Sequence, residues 1–201
     1  FYEAGPEVVA HLRDMGFKVF IDLKLHDIPH QVEGAAERLG RLGAGMITVH
    51  ASGGAAMVSA ARRGAAAGAQ AAGLPAPTLL AVTVLTSMND EMLAAVGVDR
   101  PAAEQVELLA RGADAGGADG VVCSPHEAAR MRVLLGEGAA IVTPGVRPGW
   151  AETGDQQRIA TPASALEAGA SHLVVGRPIT AAAVPADAAK KILDEMEGAL
   201  A

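Results

Sequence analysis

An alternation, more than any single motif, restricts what this chain can fold into. Short runs rich in Val, Ile and Leu recur at 18–23 (KVFIDL), 46–50 (MITVH), 78–85 (TLLAVTVL), 119–123 (DGVVC), 139–145 (AAIVTPG) and 172–177 (HLVVGR). Between them lie longer stretches of helical character: QVEGAAERLGRLG, GGAAMVSAARRGAAAGA, PAAEQVELLARGADAGG, SPHEAARMRVLLGEG and PASALEAGA, with PADAAKKILDEMEGALA closing the chain. Strands that are apolar along their length need cover on both faces. Helices in the connections supply it, so the pattern specifies an α/β protein with a parallel sheet. An open doubly wound sheet and a closed barrel both satisfy that pattern. Polar or glycine-bearing ends on almost every run favour a TIM-type (β/α)8 barrel, whose sites are built at the C-terminal rim of the strands. No Gly-rich dinucleotide fingerprint follows the first run.

A closed barrel of this kind has eight strands, against six runs here. The leading segment GPEVVAHLRDMG reads as a helix that should itself follow a strand. The expectation is therefore a single barrel domain over 1–201 that lacks about its first strand and most of its second, with Phe1 and Tyr2 as a loop remnant.

Composition narrows the partners. Half of the 201 residues are hydrophobic and 19% are charged, enough for a substantial core, which excludes a disordered chain. A net charge of -7, with no basic run and no set of stacking aromatics, argues against nucleic acid. An anionic small molecule would need local cations. The single cysteine, Cys123, excludes an internal disulfide and reads as a small buried strand residue; a reducing compartment, the cytoplasm, is the expected location. No apolar stretch reaches the ~20 residues needed to span a bilayer, and FYEAGPEVV has no signal-peptide pattern.

Chemistry concentrates at FIDLKLHDIPH, residues 20–30. Alternate side chains of a strand share a face, so Asp22 and Lys24 are expected to enter one cavity. Asp27 follows past the strand end, and Pro29 suits a helix start. A lone Asp-x-Lys reads more readily as a buried structural ion pair. Adding Asp27 and His26 favours function, because crowded ionisable groups are expensive to desolvate. His26, His30 and His50 read as structural. No glycine eases a chain reversal between Lys24 and Pro29, so Asp27 is expected to reach a neighbour's cavity in an isologous dimer. For an anion, Arg177 follows Val-Val-Gly, with Gly176 permitting close backbone approach and a helix beginning soon after. The polar, Gly-containing stretch 147–160 reads as a functional loop. Thr86 and Ser87 are expected on the rim at the end of the 78–85 run, where Ser87 could equally cap the next helix.

DLKLHDIPH resembles the D-x-K-x-x-D signature of the orotidine 5'-monophosphate decarboxylase family in its bacterial form. TVLTS (83–87), TPGVRP (143–148), GDQQR (154–158) followed by Thr-Pro, and VVGRPIT (174–180) resemble that family's consecutive loop motifs, in order. The resemblance implies a TIM-type barrel that decarboxylates orotidine 5'-monophosphate to UMP in pyrimidine biosynthesis, with no cofactor and no metal. It implies that Lys24 donates a proton to C6 between Asp22 and Asp27, the latter supplied across a homodimer interface. Thr86 would read the pyrimidine edge, and Arg147 and Gln156 would join Arg177 on the phosphate. Gln157 and Arg158 would point outward or be structural. Gln31 stands where the family usually has Thr. The family's ribose-binding Asp on the first strand and second catalytic Lys on the second strand have no counterpart in these residues. Two other readings stay open: a metal-dependent sugar-phosphate decarboxylase or aldol-type synthase of the same superfamily, and an inactive phosphate-binding homologue.

Overall fold

The structure is a computed structural model that describes residues 1–150 and 160–200. It divides into two compact units, Phe1–Val82 with Leu109–Gly120, and Thr83–Leu108 with Val121–Ala201.

The first unit contains α1 (Glu7–Asp14), β1 (Phe20–Leu25), α2 (Pro29–Arg41), β2 (Met46–His50), α3 (Gly54–Ala71) and β3 (Thr78–Val82). Its three strands lie parallel in chain order. β2 and β3 stay in register from Met46 opposite Thr78 to His50 opposite Val82. β1 does not keep step. Ile21 faces Ile47, yet Leu25 faces Val49, so four steps along β1 are matched by two along β2. Ile21, Ile47, Val49, Leu79 and Ala81 bury against Val32, Ala36 and Leu39 of α2 and Met57 and Val58 of α3. The helical stretches fall where apolar spacing places them, and Pro29 opens α2 at its first turn, where a missing N–H costs nothing.

Small residues let α2 and α3 approach closely. A Cβ added at Gly64 or Gly68 would collide with the carbonyl oxygen of Glu33 or Glu37 respectively, and one at Gly40 with that of Ala65. Gly64 and Gly68, four apart, share one face of α3, as Glu33 and Glu37 share one face of α2. The obstruction is backbone, which cannot rotate aside. Gly68→Ala should therefore destabilise the protein by about 3 kcal/mol despite the better helix propensity of alanine. Gly34→Ala, at an open position of α2, should be neutral or slightly stabilising. Urea midpoints for the two variants check the pair, and equal midpoints would show that the helices are not held at glycine distance.

α4 (Asp90–Ala95) lies in the second unit, while α5 (Ala102–Ala115) and β4 (Gly120–Val122) carry the chain across the division. The second unit continues with α6 (Ala128–Leu135), β5 (Ala140–Thr143), α7 (Pro162–Glu167), β6 (His172–Leu173), α8 (Arg177–Thr180) and α9 (Pro185–Leu200). β5 and β6 pair in parallel through Val142 opposite His172 and Thr143 opposite Leu173. The Cys123 N–H donates to the Val142 carbonyl at 3.1 Å. Cys123 is buried, as its place in an apolar run implied.

Four of the six runs end earlier than their composition suggested, 119–123 at Val122 and 139–145 at Thr143 among them. The 78–85 run leaves the strand after Val82, where the Thr83 N–H and hydroxyl both donate to the Val122 carbonyl, at 3.1 and 2.9 Å. The 172–177 run is a strand only at His172–Leu173, with one further bond from the Val174 N–H to the Thr143 carbonyl at 2.9 Å. Arg177 is consequently the first residue of α8 and not the end of a strand. Helices α4 and α8, six and four residues long, are too short to show a periodicity in sequence. Asn89, not Ser87, caps α4, its side-chain oxygen accepting from the Met92 N–H at 2.9 Å. Among the described residues no helix is long and apolar enough to cross a membrane.

Candidate active site

The slipped end of β1 is built around Lys24. Its φ is 53°, the one positive value at a non-glycine position among the described residues. An L-residue in this left-handed region costs roughly 1–2 kcal/mol, and nothing about a lysine side chain relieves the clash of its Cβ with the following carbonyl. Neighbouring bonds must hold it there. The Lys24 N–H donates to Thr48 Oγ1 at 2.9 Å, and that hydroxyl donates to Asp22 Oδ1 at 2.8 Å. Lys24 Nζ donates to Asp22 Oδ2 at 2.6 Å. The three residues thus close a ring in which both carboxylate oxygens are engaged. Thr48 is 0% exposed, whereas the side chains of Lys24 and Asp22 are 39% and 46% exposed. Asp22 and Lys24 do meet, as simple alternation implied. The route is a register slip with a left-handed residue, not a regular pleat, and the charged ends stand half open to solvent.

Asp27 is exposed and bonds its own chain, Oδ1 accepting from the Ile28 N–H at 2.6 Å. Among the described residues no hydrogen bond or ion pair joins it to Lys24 or Asp22. Gln31 lies exposed in the first turn of α2, as does His30. The rings of His26 and His50 stand 5.4 Å apart, tilted by 46°. Burial pushes the pKa of His50 down, and the nearby charges of His26 and Lys24 push it the same way, with Asp22 opposing them. His50 therefore favours the neutral imidazole beside the lysine.

The second unit holds the other expected residues. Thr86 is half-buried and Ser87 exposed in the turn after Val84. Arg147 is 9% exposed; its N–H donates to the Ala160 carbonyl at 2.9 Å, beside a parallel bridge between Val146 and Ala160. Its Nε and the hydroxyl of Thr143 are buried without a hydrogen-bond partner among the described residues. A buried guanidinium nitrogen of this kind calls for an acceptor. Gly176 is exposed, and a Cβ built there meets nothing within 4 Å among the described residues. Arg177 is exposed beside it. Gln156, with Gln157 and Arg158, lies outside the described residues. Trp150, at the edge of that stretch, carries the ammonium of Lys191 5.8 Å from its ring centroid. Among the described residues no group of three or more His, Cys, Asp or Glu side chains could hold a metal ion.

Sequence reasoning passed over Thr48. A signal existed: in MITVH it is a hydroxyl within an otherwise apolar interior, flanked by Ile47 and Val49.

A family model described as "Orotidine 5'-phosphate decarboxylase / HUMPS family" matches residues 1–192. The chain belongs to this family. It is 51% identical over 199 residues to the orotidine 5'-phosphate decarboxylase of Synechococcus sp. (strain WH7803), covering 98% of this chain and 82% of that protein. With the enzyme of the same name from Moorella thermoacetica it shares 50% over 198 residues, covering 98% and 79%. Among solved structures, orotidine 5'-phosphate decarboxylase from Lactobacillus acidophilus superposes with a TM-score of 0.87 at 45% identity, covering 98% of this chain and 83% of that one. Membership of the orotidine 5'-phosphate decarboxylase / HUMPS family and that superposition support the TIM-type α/β class expected from the strand and helix alternation.

Proposed function

We propose that this chain is a carboxy-lyase that converts orotidine 5'-monophosphate to UMP and carbon dioxide in pyrimidine biosynthesis. The observation that carries the reading is the Lys24 ammonium, held 2.6 Å from the Asp22 carboxylate on a left-handed strand end, in a chain half identical to orotidine 5'-phosphate decarboxylases over nearly its whole length. In the reaction the bond from C6 to its carboxylate breaks, carbon dioxide leaves, and the electron pair stays on C6. No ring position delocalises that pair, so a nearby cation and a proton must be supplied. Lys24 supplies both: its charge faces the developing carbanion and Nζ then gives a proton to C6. Solvent returns a proton to Nζ after product leaves. The half-open setting of the pair leaves the ammonium reachable by both substrate and water.

Asp22 holds the ammonium in place, and Asp27 completes the set from a second subunit of a homodimer. Arg147, Gln156 and Arg177 take the phosphate, with exposed Gly176 beside Arg177 in sequence. The Nε of Arg147, buried without a hydrogen-bond partner among the described residues, supports an anion-holding role, because a guanidinium buried away from water needs a negative group or an acceptor. Thr86 contacts the pyrimidine edge with Ser87 beside it, and Gln31 contacts the substrate. No cofactor or metal takes part in this scheme. The cytoplasm is the proposed location.

The test is decarboxylation of orotidine 5'-monophosphate, followed by absorbance, on protein expressed from its complete reading frame, with and without EDTA. Turnover unaffected by EDTA is expected. Turnover that EDTA abolishes would point to the metal-dependent sugar-phosphate reading, and substrate binding without turnover to an inactive homologue.

A further inference from the structure

We propose that Thr48 is the positioning residue for the decarboxylating lysine, its hydroxyl being the pin that holds Lys24 in the left-handed conformation and aims its ammonium. The inference rests on the decarboxylase reading above only for its kinetic consequences. Its structural part stands on the bonds themselves.

The direction of each bond is set by the chemistry of the partners. A hydroxyl has one proton and two lone pairs. The carboxylate of Asp22 can only accept, so the Thr48 proton goes to Oδ1 at 2.8 Å. The Lys24 amide can only donate, so it takes a lone pair of Thr48 Oγ1 at 2.9 Å. One side chain on β2 therefore holds the backbone of the lysine and the carboxylate that holds the ammonium. Both bonds fall where the ladder between β1 and β2 slips, at the residues between Ile21 and Leu25, so the regular backbone pairing does not do this work. A threonine is suited to the place for a second reason. Its β-branched body fits the strand between Ile47 and Val49, in register opposite Leu80, and it is wholly buried, which keeps water from competing for the hydroxyl.

A threonine that merely packed the core would tolerate valine, its near-isostere without the hydroxyl. The positioning role gives a different result. In Thr48→Val, kcat for orotidine 5'-monophosphate should fall about 100-fold, the scale expected when a reacting group is displaced by an ångström. KM should change little. Thr48→Ser, which keeps both bonds, should recover most of the rate, and Thr48→Ala, which keeps neither, should behave like the valine variant should the latter fail to fold. Crystal structures of the valine or alanine variant should show φ of Lys24 outside the left-handed region and a broken contact between Nζ and Asp22.

Three results would overturn the proposal: wild-type kcat in a folded variant lacking the hydroxyl, an equal loss in Thr48→Ser, or Lys24 unmoved in the variant structures. If the wild-type protein fails to decarboxylate orotidine 5'-monophosphate, the functional reading is lost. The crystal structures then still decide whether Thr48 holds Lys24.

Discussion

Lys24→Ala should abolish decarboxylation, with kcat lowered by about 10^4-fold or more, because one group is asked both to face the C6 carbanion and to protonate it. Affinity for UMP should be largely retained, since the ammonium acts mainly in the transition state. A second substitution separates this effect from damage to the fold. Lys24 sits at φ 53°, where glycine is at ease and alanine is not. Lys24→Gly should therefore be as inactive as Lys24→Ala while being more stable than it by about 1 kcal/mol. Lys24, the proposed proton donor, thus stands at a position where a residue with no side chain would fold better. Steady-state kinetics, UMP titration and thermal melts on both variants make the test. An alanine variant with wild-type kcat would sink the assignment of Lys24, and a glycine variant no more stable than the alanine one would show that the left-handed backbone carries no strain.

Mixing two inactive proteins, Lys24→Ala and Asp27→Ala, should restore activity, to about one quarter of wild type when subunits exchange freely. Random pairing makes half the dimers mixed, and each mixed dimer has one site with both residues intact. The expectation comes from how Asp27 is held. Its carboxylate is turned back onto the Ile28 N–H and, among the described residues, makes no hydrogen bond or ion pair to the ring of Asp22, Thr48 and Lys24. Ile28 beside it is 63% exposed, an apolar side chain suited to contact with another subunit, and Pro29 then commits the chain to α2. Absence of any regain, with subunit exchange established by mass spectrometry, would place Asp27 in its own subunit's site.

Much of this architecture was legible in the residues. β2 falls at 46–50 as its composition indicated, and α2 begins at Pro29, because an apolar run and a proline at a first turn act locally. The pairing of Asp22 with Lys24, the burial of Cys123 and the parallel strands joined by helices were likewise legible, since each follows from spacing or from the need to cover apolar strands on both faces.

What escaped the sequence shares a physical cause. A strand ends where its neighbour stops offering partners, and nothing in TLLAVTVL says that Thr83 will turn both of its donors onto the Val122 carbonyl, 39 residues away. HLVVGR is a strand only at His172–Leu173, and Arg177 falls at a helix start. The burial of Arg147 was not written in the polar stretch that contains it. Neither was the conformation of Lys24. Residue type argues against a left-handed lysine, and the bond its N–H makes there is to the hydroxyl of Thr48, brought from 24 positions away by strand pairing. Local periodicity and residue chemistry determined which elements form and which groups carry charge. Tertiary hydrogen bonding decided where the strands stop and how the lysine points, because those bonds join residues whose proximity exists only after the sheet has assembled.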